Sequence, residues 1–229
     1  FQEGVEYYRG SGSYRREFIL SPGAARNDAR WMLVSEGFYG TGDIWLNGEK
    51  ITDIDGQYLG FSFDVTDKIR QGHTGRLAVR LTNDCRSYVL PGISMPDFIL
   101  HGGLAGRMCL RSVPSLSVDS DLTYVRCGNI SASAATVNVD FKLLNRSGRA
   151  RICDVTWRLI DGSGNEAATC RLEKLLMEAR QCEESFSVEM NLTRPRLWSL
   201  ADPWMYKGLC EVQENGALIL VQLRKLRFQ

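Results

Sequence analysis

Polar and apolar positions in this chain alternate in twos. Val137, Val139, Phe141 and Leu143 are separated by Asn138, Asp140 and Lys142. That is the rhythm of a strand with one buried face, because successive strand side chains point to opposite sides. Shorter segments of the same kind run through the first half: Tyr14 to Leu20, Arg30 to Ser35, Asp43 to Leu46, Leu59 to Val65, Arg76 to Thr82 and Arg107 to Val113. The second half adds Thr123 to Cys127, Ala135 to Leu144, Ile152 to Ile160, Ala167 to Leu172, Cys182 to Met190, Tyr206 to Val212 and Ala217 to Phe228. Clusters of Gly, Asn, Asp and Ser separate them, as turns require. Asn47-Gly48 between two strand-like segments predicts a two-residue hairpin, since both residues tolerate positive φ. No segment sustains a helical period. Thr66 to Arg70 predicts one helical turn with Thr66 as its N-cap. Leu172 to Arg180 favours helix by composition, but its strand-like neighbours predict a strand running into a turn.

A chain of 229 residues is long enough for two small domains. Pro114 to Ser117 falls between the two rhythms, which sets the domains at 1–115 and 116–229. About seven strands in the second suggest an immunoglobulin-like sandwich. Hydrophobic residues at 44% and charged residues at 24% suit ordinary globular cores.

Charge narrows the partners. The formal net charge is +1 and no long block of like charge occurs, so a nucleic-acid partner is not expected. No apolar run approaches the roughly 20 residues of a membrane helix, so no membrane partner is expected either. The chain opens on Phe1 rather than Met, as a processed or trimmed chain would. Seven cysteines lie scattered without a C-x-x-C pair, and read as small buried hydrophobes rather than as a zinc site. The two histidines, His73 and His101, have no metal-ligand spacing, and no cofactor is expected. Asp53 with Asp55, and Asp119 with Asp121, read as solvated turn residues rather than catalytic pairs. Three N-x-S/T sequons, at Asn129, Asn145 and Asn191, read as chance occurrences.

One stretch stands apart. Asn83 to Gly103 is a long connection before the last strand of the first domain, and it carries Tyr88, Asp97, Phe98 and His101. Loops of that length in compact domains tend to be functional or disordered, and aromatic content argues against disorder. Sugars are held by aromatic faces and by carboxylates or amides, and this loop offers both. A loop that merely plugs the end of a sandwich, with His101 a structural residue, fits the residues equally well.

Trp45 to Val79, WLNGEKITDIDGQYLGFSFDVTDKIRQGHTGRLAV, resembles the jelly-roll, galactose-binding-like domain of glycoside hydrolase family 2. The matching positions are Asn47, Gly48, Gly56, Tyr58, Phe61, Phe63, Asp64, Thr66, Gly72 and Val79. Arg194 to Tyr206 resembles the signature near the end of that family's immunoglobulin-like second domain, and Gly216 to Phe228 the strand leading to its barrel. The resemblance implies an all-β chain, a jelly-roll sandwich followed by an immunoglobulin-like one, from the front of a retaining glycosidase. The family's catalytic glutamates belong to a (β/α)₈ barrel, so no residue here is expected to be catalytic and the chain alone should be inactive.

By the same resemblance, Asp97 contacts a sugar hydroxyl or a pocket cation, with Phe98 and His101 at the same mouth. Ala105 and Gly106 stand where the family has Tyr and Arg, and Leu220 to Arg224 lacks the family's usual residues. The implied partners are a carbohydrate and the catalytic barrel, with self-association through an exposed strand edge. A periplasmic or secreted bacterial setting is also implied. The foremost expectation is the bracing part of a β-galactosidase-like enzyme. The alternatives are a free-standing carbohydrate-binding module, the front of a β-glucuronidase or β-mannosidase, and a purely architectural protein.

Overall fold

A computed structural model describes residues 8–21, 23, 28–55, 58–84, 101–179, 182–226 and 228, without the side chains of 223–225. Two compact units emerge, Phe1–Val113 and Pro114–Gln229. No α-helix occurs among the described residues.

The first unit contains β1 (Ser11–Ile19), β2 (Ala29–Ser35), β3 (Phe38–Tyr39), β4 (Thr41–Leu46), β5 (Glu49–Asp55), β6 (Phe61–Asp64), β7 (Thr74–Thr82), β8 (Gly103–Leu104) and β9 (Met108–Pro114). One sheet runs β1-β7-β4-β5, a second β6-β2-β9, and β3 pairs with β8. Ile44 and Leu46 of β4 and Val79 and Leu81 of β7 are buried, as are Trp31 and Leu33 of β2. These six side chains belong to one apolar cluster, and burying each is worth about 1.5–3 kcal/mol.

Asn47-Gly48 forms the expected hairpin turn. Their φ values of 55° and 86° are those of a type I′ turn, whose twist matches the flanking strands. Asn47 does more than turn. Its backbone N–H donates to the Arg76 carbonyl (2.8 Å), and its Oδ1 accepts from the Arg76 N–H (2.9 Å). Its Nδ2 donates to the Lys68 carbonyl (2.8 Å). The turn is thereby tied both to the start of β7 and to a 3-10 turn at Thr66–Lys68.

That 3-10 turn corrects one expectation. Thr66 is its first residue and Val65 its N-cap, and the carboxylate of Asp64, one position earlier, takes the first N–H. Asp64 Oδ1 takes the Thr66 N–H (3.0 Å) and the Thr66 hydroxyl (2.6 Å), while Thr66 Oγ1 accepts the Trp31 N–H (2.9 Å). The pair ties β6 to β2 through side chains where the ladder ends. On the outer face of the first sheet, Asp43 is buried beneath Lys50 (2.8 Å) and Arg80 (2.7 Å). The hydrogen bond from Lys50 holds the Asp43 carboxyl down to about 2 against the opposing effect of burial, and Arg80 assists.

The second unit contains β10 (Leu116–Val118), β11 (Tyr124–Gly128), β12 (Ala134–Asn145), β13 (Arg151–Ile160), β14 (Glu166–Met177), β15 (Cys182–Thr193), β16 (Tyr206–Glu214) and β17 (Ala217–Leu226). β10 and β11 pair with successive parts of one edge of β12, and β15 takes its other edge. The facing sheet runs β14-β13-β16-β17. Phe141 stacks on its cross-strand partner Phe186 (5.7 Å) and meets Trp157 of the other sheet (5.6 Å), as an immunoglobulin-like core requires. Asn215-Gly216 repeats the type I′ solution between β16 and β17.

The connector expected at Pro114 to Ser117 is part of this unit. Leu116, Ser117 and Val118 are buried in β10, and Ser115 accepts hydrogen bonds from Arg146 and Arg151. The helix-favouring segment runs in β14, where a bulge sets Lys174 at φ 55° and Asp154 Oδ1 accepts its N–H (2.8 Å). Asn145 is fully buried, and its Nδ2 donates to the carbonyls of Arg149 and Glu178 (both 2.8 Å). Buried Arg151 grips Glu214 with two parallel bonds (2.8 and 2.5 Å) and reaches Ser115 Oγ (2.9 Å). The six described cysteines are free thiols, with Cys153 and Cys210 buried in this core and Cys109 exposed. Burial pushes the Cys153 thiol up to about 11 and the Cys210 thiol further.

Two substitutions test these anchors. Asn47→Ala loses both side-chain bonds and strains a left-handed residue, and is expected to cost about 2–3 kcal/mol. Asn47→Gly, which keeps the backbone at ease, should cost about 1 kcal/mol; hydrogen exchange of the β4 and β7 amides measures both. Arg151→Leu removes both guanidinium bonds to Glu214 and should cost about 2–4 kcal/mol in urea unfolding, with most of it recovered in Arg151→Leu/Glu214→Leu.

Candidate carbohydrate-contacting loop

The loop singled out in the sequence leaves β7 at Asn83 and returns at His101. Asp97 and Phe98 lie outside the described residues, as does Tyr88. What the structure describes is the root of the loop on both sides.

On the outgoing side, buried Asn83 is a splice point. Its Oδ1 accepts the Gly10 N–H (2.8 Å), and its Nδ2 donates to the Tyr8 carbonyl (2.8 Å). Asp84 pairs with Arg9 (2.9 Å) at an exposed position. The Cβ that Gly102 lacks would sit 3.1 Å from the Asn83 side chain, so the two ends of the loop meet here.

On the returning side, His101 is exposed and its ring lies 6.2 Å from Tyr39. Tyr39 meets Tyr58 edge to face at 5.0 Å. Tyr39 is placed by the β3–β8 pairing, where it stands opposite Gly103. Tyr58 is placed by its N–H bond to the Phe38 carbonyl (2.8 Å) and sits at φ 68° with half its surface exposed. Gly103 has φ 109°, and a Cβ there would fall 2.3 Å from the Tyr14 hydroxyl. Tyr14, Tyr39, Tyr58 and His101 therefore gather around the point where the loop comes back. Sequence reasoning found His101 but not the tyrosines that meet it, because only strand register brings Tyr14 and Tyr39 to Gly103.

Beyond β8 the chain is clamped. The Ala105 N–H donates to Gly37 (3.1 Å), and Arg107 donates to Glu36 from its backbone N–H (3.0 Å) and its Nε (2.8 Å). Those bonds hold the Glu36 carboxyl below the ordinary carboxylate range. Gly106, with φ 86° and the Glu36 side chain 2.9 Å from its missing Cβ, is a residue the clamp requires. Among the described residues no three His, Cys, Asp or Glu side chains converge on a metal position.

Residues 7–89 match the family model described as glycosyl hydrolase 2 galactose-binding domain-like. Over those residues the first unit matches a galactose-binding-like domain of glycoside hydrolase family 2. Relatives extend the likeness along the chain. A β-glucuronidase of Bacteroides fragilis is 25% identical over 94% of this chain and 31% of its own length. A β-galactosidase of Bacteroides ovatus is 24% identical over 90% of this chain and 23% of its own. A solved β-glucuronidase of Bacteroides uniformis shares the fold at a TM-score of 0.88 and 22% identity, over 97% of this chain and 27% of that one. The chain thus spans about a quarter of the length of the curated relatives it matches. Within the family 2 domain, Asn47, Asp64, Thr66 and Gly72 all make scaffold hydrogen bonds, so the motif that identifies the family encodes its frame.

Gly103→Ala is expected to lower stability by about 1–2 kcal/mol through left-handed strain, with a further loss from the Tyr14 clash. Adding Tyr14→Phe should restore only the second part, which thermal unfolding of the single and double variants will separate.

Proposed function

We propose that this chain serves as the non-catalytic front of a family 2 glycosidase, bracing a catalytic barrel and lending the Asn83–Gly103 loop to the substrate pocket. One observation carries the reading: relatives called β-glucuronidase and β-galactosidase align with nearly all of this chain, yet it spans only about a quarter of each. The loop's root supports it physically. Both ends are fixed by buried or paired groups at Asn83 and Glu36–Arg107, so the loop leaves and re-enters the sheet at defined points. Asp97 would then address a sugar hydroxyl or a cation beside it, with Phe98 and His101 at the mouth.

The substrate is a β-linked galactoside or glucuronide; relatives bearing the β-glucuronidase name favour the second alongside the first. A loop that binds sugar only together with another domain should not bind it in isolation. Titration of the isolated chain with methyl β-galactoside and with glucuronic acid, read by NMR, should leave the His101 ring signals unmoved. In the longer enzyme carrying this chain, Asp97→Ala should raise KM by about tenfold, the loss of one charged hydrogen bond. Millimolar binding to the isolated chain that disappears on Asp97→Ala would instead make it a free-standing carbohydrate-binding module.

A further inference from the structure

The outer face of the β1-β7-β4 sheet carries a hollow of about 690 Å³, within the size range of small-molecule sites. Its geometry follows from register. Ala78 of β7 stands opposite Arg15 of β1 on one side and opposite Trp45 of β4 on the other. A small side chain is thus flanked by two large ones, two strand spacings or about 10 Å apart. Along β7, the same face presents Arg76 and Arg80 on either side of Ala78, since alternate residues share a face. The result is a floor of one methyl group, an aromatic wall, and guanidinium groups around the rest.

The charge of the rim is one-sided. Arg15, Arg76 and Arg80 present their side chains to the hollow with one carboxylate, Glu17, in its lining, whereas alternation turns Arg16 to the opposite face. Three of these groups are already fixed. Arg76 pairs with Glu17 (2.8 Å), and Arg80 pairs with the buried Asp43 (2.7 Å) while lying over Trp45 (5.8 Å). Arg15 makes no ion pair or hydrogen bond among the described residues, yet it stands in the row of Ala78 and Trp45. Guanidinium groups recognise carboxylate and sulfate through paired hydrogen bonds, and a Trp face recognises the C–H surface of a sugar ring.

We propose that this hollow binds an acidic saccharide, a sugar bearing a carboxylate or a sulfate, with its ring against Trp45 over Ala78 and its anionic group on Arg15. Charge complementarity selects this occupant over a neutral sugar, for which Arg15, without an ion pair among the described residues, would be surplus. A nucleic acid is disfavoured because the basic groups are confined to one hollow and the chain as a whole carries only +1. The proposal makes no use of Asp97 and stands or falls without it.

The test is NMR of the 229-residue chain. The Trp45 indole signal, assigned with Trp45→Phe, is followed during titration with a glucuronic acid disaccharide, galactose 6-sulfate and neutral methyl β-galactoside. Both acidic probes, or one of them, should shift the signal at millimolar concentration and the neutral one should not; which acid works separates carboxylate from sulfate recognition. Arg15→Gln should weaken binding about tenfold, and Ala78→Leu, which fills the floor, should abolish it. Arg15 is a surface position, so its variant reads binding even if Ala78→Leu disturbs the sheet. Asp97→Ala should change nothing here, which keeps this outcome distinct from that of the loop. Equal binding of neutral and acidic sugars, no movement of the Trp45 signal with any probe, or wild-type binding in Arg15→Gln would each overturn the proposal.

Discussion

Register between β4 and its two neighbours is the constraint on which the first unit depends. Because strand side chains alternate, a slip of one residue would turn Ile44 and Leu46 to the outer face and Asp43 and Trp45 into the apolar core. The apolar cluster would be lost and charges would enter it. Asn47 prevents the slip by fastening the hairpin tip to Arg76 and Lys68 at once, so the strands are aligned at the end where they begin to pair. The positive φ at Asn47 and Gly48 then lets the tip close without splaying the strands.

How much of this was readable follows from where each signal is stored. Asn47-Gly48 and the Val137–Leu143 alternation are local, and the structure places them where the sequence does. β3, β8 and β10 are two or three residues long and carry no period; their partners lie far along the chain, so only tertiary pairing reveals them. Leu172 to Arg180 favours helix by composition, yet its strand-like neighbours pointed to the strand that the structure shows as far as Met177. Thr66 was legible as part of a helical turn, but not its place after the cap, nor its role as acceptor for Trp31, a bond between segments thirty-odd positions apart.

The candidate site divides in the same way. His101 was visible as an unusual residue in an unusual loop, whereas Tyr39 and Tyr14, which meet it and its neighbour Gly103, become neighbours only through pairing. The row of Arg15, Ala78 and Trp45 has no local signature at all, since each comes from a different strand. The family motif worked in the opposite direction. It identified the domain through residues whose hydrogen bonds build the frame, and those residues say little about the sugar.

The thiols of the second unit carry a practical consequence. Cys153 and Cys210 are sealed in its core, and thiolate is the reactive form, which burial suppresses in both. An electrophile can reach them only when the two sheets part, whereas Cys109 of the first unit is open to it at once. The chain therefore contains its own chemical clock: slow alkylation marks each opening of the immunoglobulin-like sandwich, against a fast internal reference.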